Sequence, residues 1–388
     1  MYSRQRSNVK KRVSMALLIF FLLILGVFLI KTGKYFTPLF QLFFQNEIQL
    51  KKTSDNRVNI LLLGVGGGTH DGPDLTDTMI FVSADLTNKK VTLVSIPRDL
   101  WIPELKQKIN TAYTLGEEKQ KGGGLMLAKA TVSHLLNQQI DYAVKIDFNG
   151  FVKAVDMVGG LDITVDNTLD DYQYPIEGKE NDSCGHNDTE IASLSAQLEA
   201  ASVMPQDSFP CRYEHLHFDK GLQKMDGITA LKFVRSRHAE GEEGSDFARS
   251  KRQEKVITAF KNKVFSVNTF LNPIKVVGLV NLLSGSIDTD IKTDEYDDFI
   301  KLAERLKGAK INSTVLDIGD DQTGRIGLLL NPPISSDYNN AYVLIPTSGV
   351  GDYTKIQDYV SCEIKLGNCD ISKNGVIIPT PQVSVKKN

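Results

Sequence analysis

Several things this 388-residue sequence has little of narrow what it does. It has no charge excess, 45 basic residues standing against 47 acidic ones, so nothing global points to nucleic acid and any anion site must come from local clustering. Cysteine is scarce: the four residues Cys184, Cys211, Cys362 and Cys369 match no zinc spacing, which leaves disulfides or buried thiols, with three full pairings possible. No internal repeat is visible. The glycine-rich run Gly64 to Gly68 is neither a Walker loop nor a dinucleotide fingerprint, because no lysine or serine follows at the required place and a strand, not a helix, comes next. What remains is ordinary globular composition, 41% hydrophobic and 24% charged, with length for one large domain or two modest ones.

One long apolar run is present. Val13 to Ile30 holds 18 residues without a charge, about the shortest stretch that crosses a hydrocarbon core of roughly 30 Å as a helix. Arg4, Arg6, Lys10, Lys11 and Arg12 precede it and only Lys31 and Lys34 follow closely, so the basic bias places residues 1–12 in the cytoplasm and the rest outside. Aromatics after Gly33 stand where a signal peptide would carry a small-x-small cleavage site, so an uncleaved single-pass anchor is expected. All four cysteines then lie where thiols oxidise, and pairing nearest neighbours gives Cys184–Cys211 and Cys362–Cys369.

Residues 31–57 read as a juxtamembrane connector. From Val58 short apolar runs alternate with helical periodicities, as in an α/β domain extending to about residue 365, with 366–388 as a tail. Strands are expected at Val58 to Val65, Thr78 to Ala84, Val91 to Ile96, Tyr142 to Ile146 and Leu161 to Val165. Helices are expected at Leu125 to Asn137, Phe148 to Met157, Leu222 to Val234, Phe247 to Val264, Pro273 to Leu283 and Asp294 to Leu306. Two last strands, Thr314 to Ile318 and Ala341 to Ile345, are expected to complete the same sheet. The polar stretch from Asp170 to His217 reads as a surface insertion.

Four clusters can carry chemistry. Ser95-Ile96-Pro97-Arg98-Asp99 ends an apolar strand, and strand ends are where open α/β sheets bind ligands. Arg235-Ser236-Arg237-His238 follows an amphipathic helix; if that helix stops near Val234, extended chain turns both guanidiniums to one side, where their planar forks suit a phosphoryl group. A solvated basic helix end has the same composition. Asp246, Arg249 and Gln253, at i, i+3 and i+7, share one helix face, from which Lys251, Arg252 and Lys255 depart. Asp71, Asp74 and Asp77 lie in the loop joining the first two strands, among glycines that admit phosphate and hydroxyls that, with carboxylates, offer magnesium its oxygen ligands.

In order along the chain, these stretches resemble the LytR-CpsA-Psr family over about residues 58–265. The motifs carrying the resemblance are Asn59-Ile60-Leu61-Leu62-Leu63-Gly64, Thr76-Asp77-Thr78, Ser95-Ile96-Pro97-Arg98-Asp99, Lys108-Ile109-Asn110, Val155-Asp156-Met157-Val158-Gly159-Gly160, Asp226-Gly227, Val234-Arg235-Ser236-Arg237-His238, Asp246-Phe247-Ala248-Arg249 and Arg252-Gln253. The resemblance implies a single α/β/α sandwich around a mixed central sheet, with a groove for a polyprenyl carrier. It implies transfer of a phospho-linked glycopolymer from undecaprenyl pyrophosphate to peptidoglycan, with Mg2+ or another divalent cation. It marks Asp77 as a metal-side carboxylate and Arg98, Arg235, Arg237, Arg249 and Gln253 as the pyrophosphate cradle, with Asp99, Lys108 and Asp246 as further substrate-binding positions.

Two positions depart from the family: Gly66-Gly67-Gly68 stands where an aspartate is usual, and Leu75 where an arginine is usual. Asp74 or Asp71 is the expected replacement carboxylate, Asp74 being nearer to Asp77. No cysteine, serine–histidine pair or lysine stands out as a covalent nucleophile, which favours direct attack by an acceptor hydroxyl. Two other readings use the same residues, a lipid pyrophosphatase with water as acceptor and a non-catalytic binder of the lipid carrier or wall polymer.

Overall fold

A computed structural model describes residues 48–68, 72–199, 203–264, 286–320, 325–371 and 377–379. The expected anchor at 13–30, the helix at Pro273 to Leu283 and Asp71 lie outside the described residues. Among the described residues no helix is long and apolar enough to cross a membrane. The chain divides into two units. The smaller comprises residues 48–50 and 292–304, where the 3-10 turn Thr293–Glu295 leads into a helix and Lys301 pairs with Asp298 at 3.0 Å.

The larger unit is built on a mixed six-stranded sheet. In chain order its elements include β1 (Arg57–Val65), β2 (Thr76–Asp85), β3 (Lys90–Ser95), α1 (Ala112–Lys119), α2 (Gly124–Leu136), β4 (Tyr142–Asp147), α3 (Phe148–Met157), β5 (Leu161–Val165) and β6 (Leu169–Pro175). There follow α4 (Asp188–Glu199), β7 (Tyr213–Phe218), β8 (Gly221–Met225), α5 (Gly227–Arg235), α6 (Asp246–Val264) and β9 (Ile287–Thr289), and, after α7 (Tyr296–Arg305), β10 (Lys310–Val315) and α8 (Thr354–Lys365). The sheet order is β9-β4-β1-β2-β3-β10. β1 runs parallel to β4 and β3 to β10, and the remaining pairs are antiparallel.

Alternation along the strands divides the sheet into two different faces. Leu61, Leu63, Phe81 and Val94 are buried against α2 and α8 with Val132, Leu136 and Val360, forming one core. On the other face Leu62, Ile80, Val144 and Ile146 floor a cavity instead of packing tightly. A second core lies beyond that cavity, where Val155 of α3, Phe233 of α5 and Val256 of α6 meet β5 to β8. Gly227 lets α5 approach α3, since a Cβ there would come within 2.3 Å of the Val152 carbonyl oxygen.

Three expectations are corrected. Leu222 to Met225 is strand, not the first turn of a helix: it pairs antiparallel with β5, leaving Leu222 74% exposed and Met225 fully buried. The i, i+3, i+6 spacing of Leu222, Met225 and Ile228 imitates a helix, but Asp226 has extended backbone and caps Thr229, starting α5 at Gly227. Thr314 to Ile318 is replaced by β10, which does join the sheet, whereas Ala341 to Ile345 contributes a single bridge from Leu344 to Leu100 and the start of the short strand Ile345–Pro346, paired with Leu329–Leu330. The stretch from Asp170 to His217 is not all surface: β6 and β7 pair with each other, and Tyr174 and Leu216 enter the second core beside the flanking Leu169 and Phe218. Both nearest-neighbour disulfides are present, Cys184–Cys211 and Cys362–Cys369.

The inequality of the two sheet faces is measurable. Leu61→Ala is expected to cost about 2 to 5 kcal/mol of unfolding free energy in denaturant titration, and Leu62→Ala, on the cavity floor, less than about 1.5 kcal/mol. Equal losses would contradict the assignment of the faces.

Candidate functional site

The cavity lies against one face of the sheet and reaches the C-terminal ends of the parallel strands β1 and β4, with a volume of about 730 Å³. Its polarity changes along two of its walls. On α6 the lining residues pass from Arg249 and Gln253 to Val256, Ile257 and Phe260, one face of the helix over about 16 Å of rise. On the sheet, Asp77, Thr78 and Asp147 at the strand ends give way to Ile80, Leu62 and Val144. The side chain of Gln253 reaches across, its Nε2 lying 3.5 Å from Thr78 Oγ1.

The two arginines at the end of α5 line this cavity, and their backbone explains it. The helix ends at Arg235 and Ser236 turns extended (φ −51°, ψ 131°), so Arg235 and Arg237 flank a fully buried serine. Ser236 Oγ donates to Asp171 Oδ2 at 2.7 Å, and the same oxygen accepts from the His238 amide at 3.3 Å. Beneath the turn lies Arg252, its side chain 3% exposed. Its fork donates to the carbonyls of Phe233 (2.9 Å), Ser236 (2.7 Å) and Glu243 (2.7 Å) and to Glu243 Oε2 (3.1 Å). Burial pushes the Arg252 pKa down and Glu243 opposes the fall; a guanidinium starts so high that it stays charged. The Arg235 guanidinium sits 4.1 Å over the Phe148 ring and 5.9 Å from that of Tyr174, cation–π contacts that orient it.

Arg98 does not line the cavity directly but is tied to it through Asp77. Its Nη1 donates to Asp77 Oδ1 at 2.5 Å, and Arg237 Nη2 lies 3.7 Å from the same oxygen. Burial pushes the Arg98 pKa down, but the hydrogen bond and charge of Asp77, with Asp99 behind, outweigh it and leave the pKa raised. Asp99 in turn accepts from Lys108 Nζ at 2.7 Å. Asn110 steadies this pair from below: its amide donates to the Arg98 carbonyl and its carbonyl accepts from Thr76 Oγ1.

Of the sequence-based site residues, Asp77, Arg235, Arg237, Arg249 and Gln253 therefore meet around one cavity, with Arg98, Asp99 and Lys108 in a chain of ion pairs beside it. Asp74 faces Lys145, 3.3 Å from its Nζ. Asp71 and the Asp246 side chain lie outside the described residues. Sequence reading missed Asp147, Phe148, Asp171, Tyr174 and Arg252. Asp147 had a signal: it ends a parallel strand and caps the next helix, its Oδ1 accepting from Gly150 at 2.7 Å. It lines the cavity together with Asp77 and the buried Asp171, which is already committed to Ser236 and His238. A Cβ on Gly67 would stand 2.8 Å from Asp147 Cβ, so the glycine in the altered loop gives Asp147 its room. The carboxylates of Asp77 and Asp147 and the hydroxyl of Thr78 are donors of the hard-oxygen kind that fits magnesium.

The site carries three arginines and three aspartates at one end and apolar side chains along the rest. Comparison with known proteins shows the family. Residues 41–331 match the LytR_cpsA_psr family model. The chain is 30% identical over 280 residues to the polyisoprenyl-teichoic acid–peptidoglycan teichoic acid transferase TagU of Oceanobacillus iheyensis, spanning 71% of this chain and 70% of TagU. It is 26% identical over 243 residues to the regulatory protein MsrR of Staphylococcus aureus, spanning 61% of this chain and 58% of MsrR. The fold is similar to that of protein gbs0355 from Streptococcus agalactiae (TM-score 0.52, 22% identity, 80% of this chain and 88% of that one). The chain belongs to the LytR_cpsA_psr family, and as a member it is an enzyme of the transferase class, as TagU is.

The buried fork gives a test of how the arginine turn is held. Arg252→Lys keeps a charge but loses the planar donors, and is expected to lower unfolding free energy by about 2 kcal/mol or more in denaturant titration. Wild-type stability would show that other contacts hold the turn.

Proposed function

We propose that this protein transfers a phospho-linked glycopolymer from a polyprenyl (undecaprenyl) pyrophosphate carrier to peptidoglycan. The observation that carries the reading is the polarity gradient along α6, from Arg249 and Gln253 to Val256, Ile257 and Phe260, matched by the sheet wall opposite. A pyrophosphate head fits the arginine end and an isoprenoid tail the apolar end. TagU, by its name, acts on a polyisoprenyl-linked teichoic acid and peptidoglycan, and family membership supports the same substrate classes here.

In this reading an acceptor hydroxyl oxygen attacks the glycan-bearing phosphorus, a P–O bond forms, the bridging P–O bond breaks, and polyprenyl monophosphate leaves with the electron pair. The acceptor's proton goes to solvent. Arg235, Arg237 and Arg249 hold the two phosphoryl groups and stabilise charge that gathers on the bridging oxygen, with Gln253 orienting the head. Arg98 works through Asp77, which it fixes. Asp77 and Asp147 would hold a divalent cation, magnesium by chemistry, which when bound neutralises phosphate oxygens. Apolar walls of the cavity keep water from competing with the acceptor.

The two disulfides and the basic bias before residue 13 support a cell-membrane location, with the N-terminus cytoplasmic and the catalytic unit outside. Membrane attachment would bring the cavity to a lipid donor.

The test is to incubate the full chain in detergent with a lipid-linked oligosaccharide, peptidoglycan fragments and magnesium, and to read products by mass. Glycan joined to peptidoglycan through phosphate is expected, with Arg235→Ala and Arg237→Ala each slowing turnover roughly a hundredfold or more. In the same assay Asp77→Asn and Asp147→Asn should raise the magnesium concentration for half-maximal rate, while Asp74→Asn should not. Free phosphorylated glycan alone would make the protein a hydrolase, and carrier binding without products would make it a binder.

A further inference from the structure

A second cluster of ligand-type side chains lies on the β6–β7 pair, apart from the residues that line the cavity. Asp170 stands directly opposite His217 in the antiparallel register, and His215 is two residues from His217 on the same strand. Alternation therefore sends all three side chains to one face, the outer one, while Leu169, Asp171, Leu216 and Phe218 point inward. There they converge. His215 Nε2 lies 2.8 Å, and His217 Nδ1 2.7 Å, from the same Asp170 Oδ1, and the three groups present atoms all within 4.8 Å of one another.

Two more contacts orient the rings. The second nitrogen of His217, Nε2, lies 3.2 Å from Asp219 Oδ1, the arrangement in which a carboxylate fixes a metal-bound imidazole through its other nitrogen. The His215 ring is stacked on Tyr172, centroids 4.0 Å apart and planes within 4°. Surface histidine–aspartate pairs are common, but two imidazoles aimed at one carboxylate oxygen, each separately held, are a preformed donor set. Zinc–nitrogen and zinc–oxygen bonds of about 2.0 to 2.2 Å put neighbouring ligand atoms about 3.3 Å apart, so the two histidine–aspartate distances open by only about half an ångström to admit the ion.

We propose that Asp170, His215 and His217 form a binding site for a divalent transition-metal ion of the zinc class, with Asp219 supporting His217. Two imidazoles and one carboxylate favour such a metal over magnesium, which prefers an all-oxygen shell. Its position makes it a clip for the arginine turn. The Asp170 carbonyl accepts from the Glu240 amide at 2.8 Å, and the next residue, Asp171, is the buried acceptor for Ser236 and His238. Metal bound across β6 and β7 would stiffen the strand pair from which that acceptor projects.

The experiment is calorimetric titration of the metal-free full chain, in detergent at neutral pH, with zinc alone, in parallel with thermal unfolding. No described cysteine is free to compete for the metal. One equivalent is expected to bind wild type and to raise its unfolding midpoint. In His215→Ala/His217→Ala and in Asp170→Asn affinity should fall at least about a hundredfold, and in Asp219→Asn about tenfold. Excess magnesium should not displace the ion. Absence of zinc binding to wild type, or equal binding by variants whose circular dichroism matches wild type, would overturn the site. Because zinc binding is read directly, failure here is distinguishable from failure of the proposed transfer reaction.

Discussion

Arg252 lies under the end of α5 with its planar fork committed mainly to backbone, and its contacts decide where the cavity-lining arginines point. The last turn of any helix leaves carbonyls without partners. Here the Phe233 and Ser236 carbonyls are satisfied by one buried guanidinium, which also reaches Glu243 in the segment leading to α6. Asp171 completes the arrangement from the other side, holding the Ser236 hydroxyl and the His238 amide. Burying these charges is costly, and the cost is offset by hydrogen bonds that leave Arg235 and Arg237 with little choice of direction. Such preorganisation stabilises charge in a reaction without reorienting dipoles at the moment it develops.

The rest of the cavity follows from the sheet having two unequal faces. One is sealed by α2 and α8, whereas the other is left partly uncovered because α3, α5 and α6 stand away from Leu62, Ile80 and Val144. The strand ends carry the carboxylates Asp77 and Asp147, and the middle of the same strands carries aliphatic side chains, so one run of β-structure supplies both polar and apolar ends. The α6 helix repeats this order along its own axis. A soluble anion would need only the first part, and a neutral lipid only the second.

Much of this was legible in the sequence, for physical reasons that differ by element. The short apolar run of Val58 to Val65 and the i, i+4 spacing of Arg249 and Gln253 are local patterns, and the strand and the helix face follow from them directly. Leu222 misled because three apolar residues at helical spacing straddled a strand and a cap, and only pairing with β5 distinguishes them. Arg252 was seen to depart from the Arg249–Gln253 face, but that it turns into the interior depends on carbonyls from α5, 16 and 19 residues away. Asp147 carried a local signal at its strand end, but its place beside a glycine loop more than 70 residues earlier is tertiary, and Asp171 was hidden inside a stretch whose polar composition suggested surface. The chain bears the family's motifs locally; what assembles them is tertiary.

The central claim is that the isoprenoid tail of a pyrophosphate carrier lies along the apolar half of α6 while its head meets the arginines. A polyprenyl pyrophosphate bearing a photoreactive group on its tail tests this most directly, with adducts mapped by mass spectrometry. The account predicts labelling at Val256, Ile257 or Phe260 and on the facing strand residues, suppressed by unlabelled carrier. Labelling confined to other surfaces, or unaffected by unlabelled carrier, would contradict it.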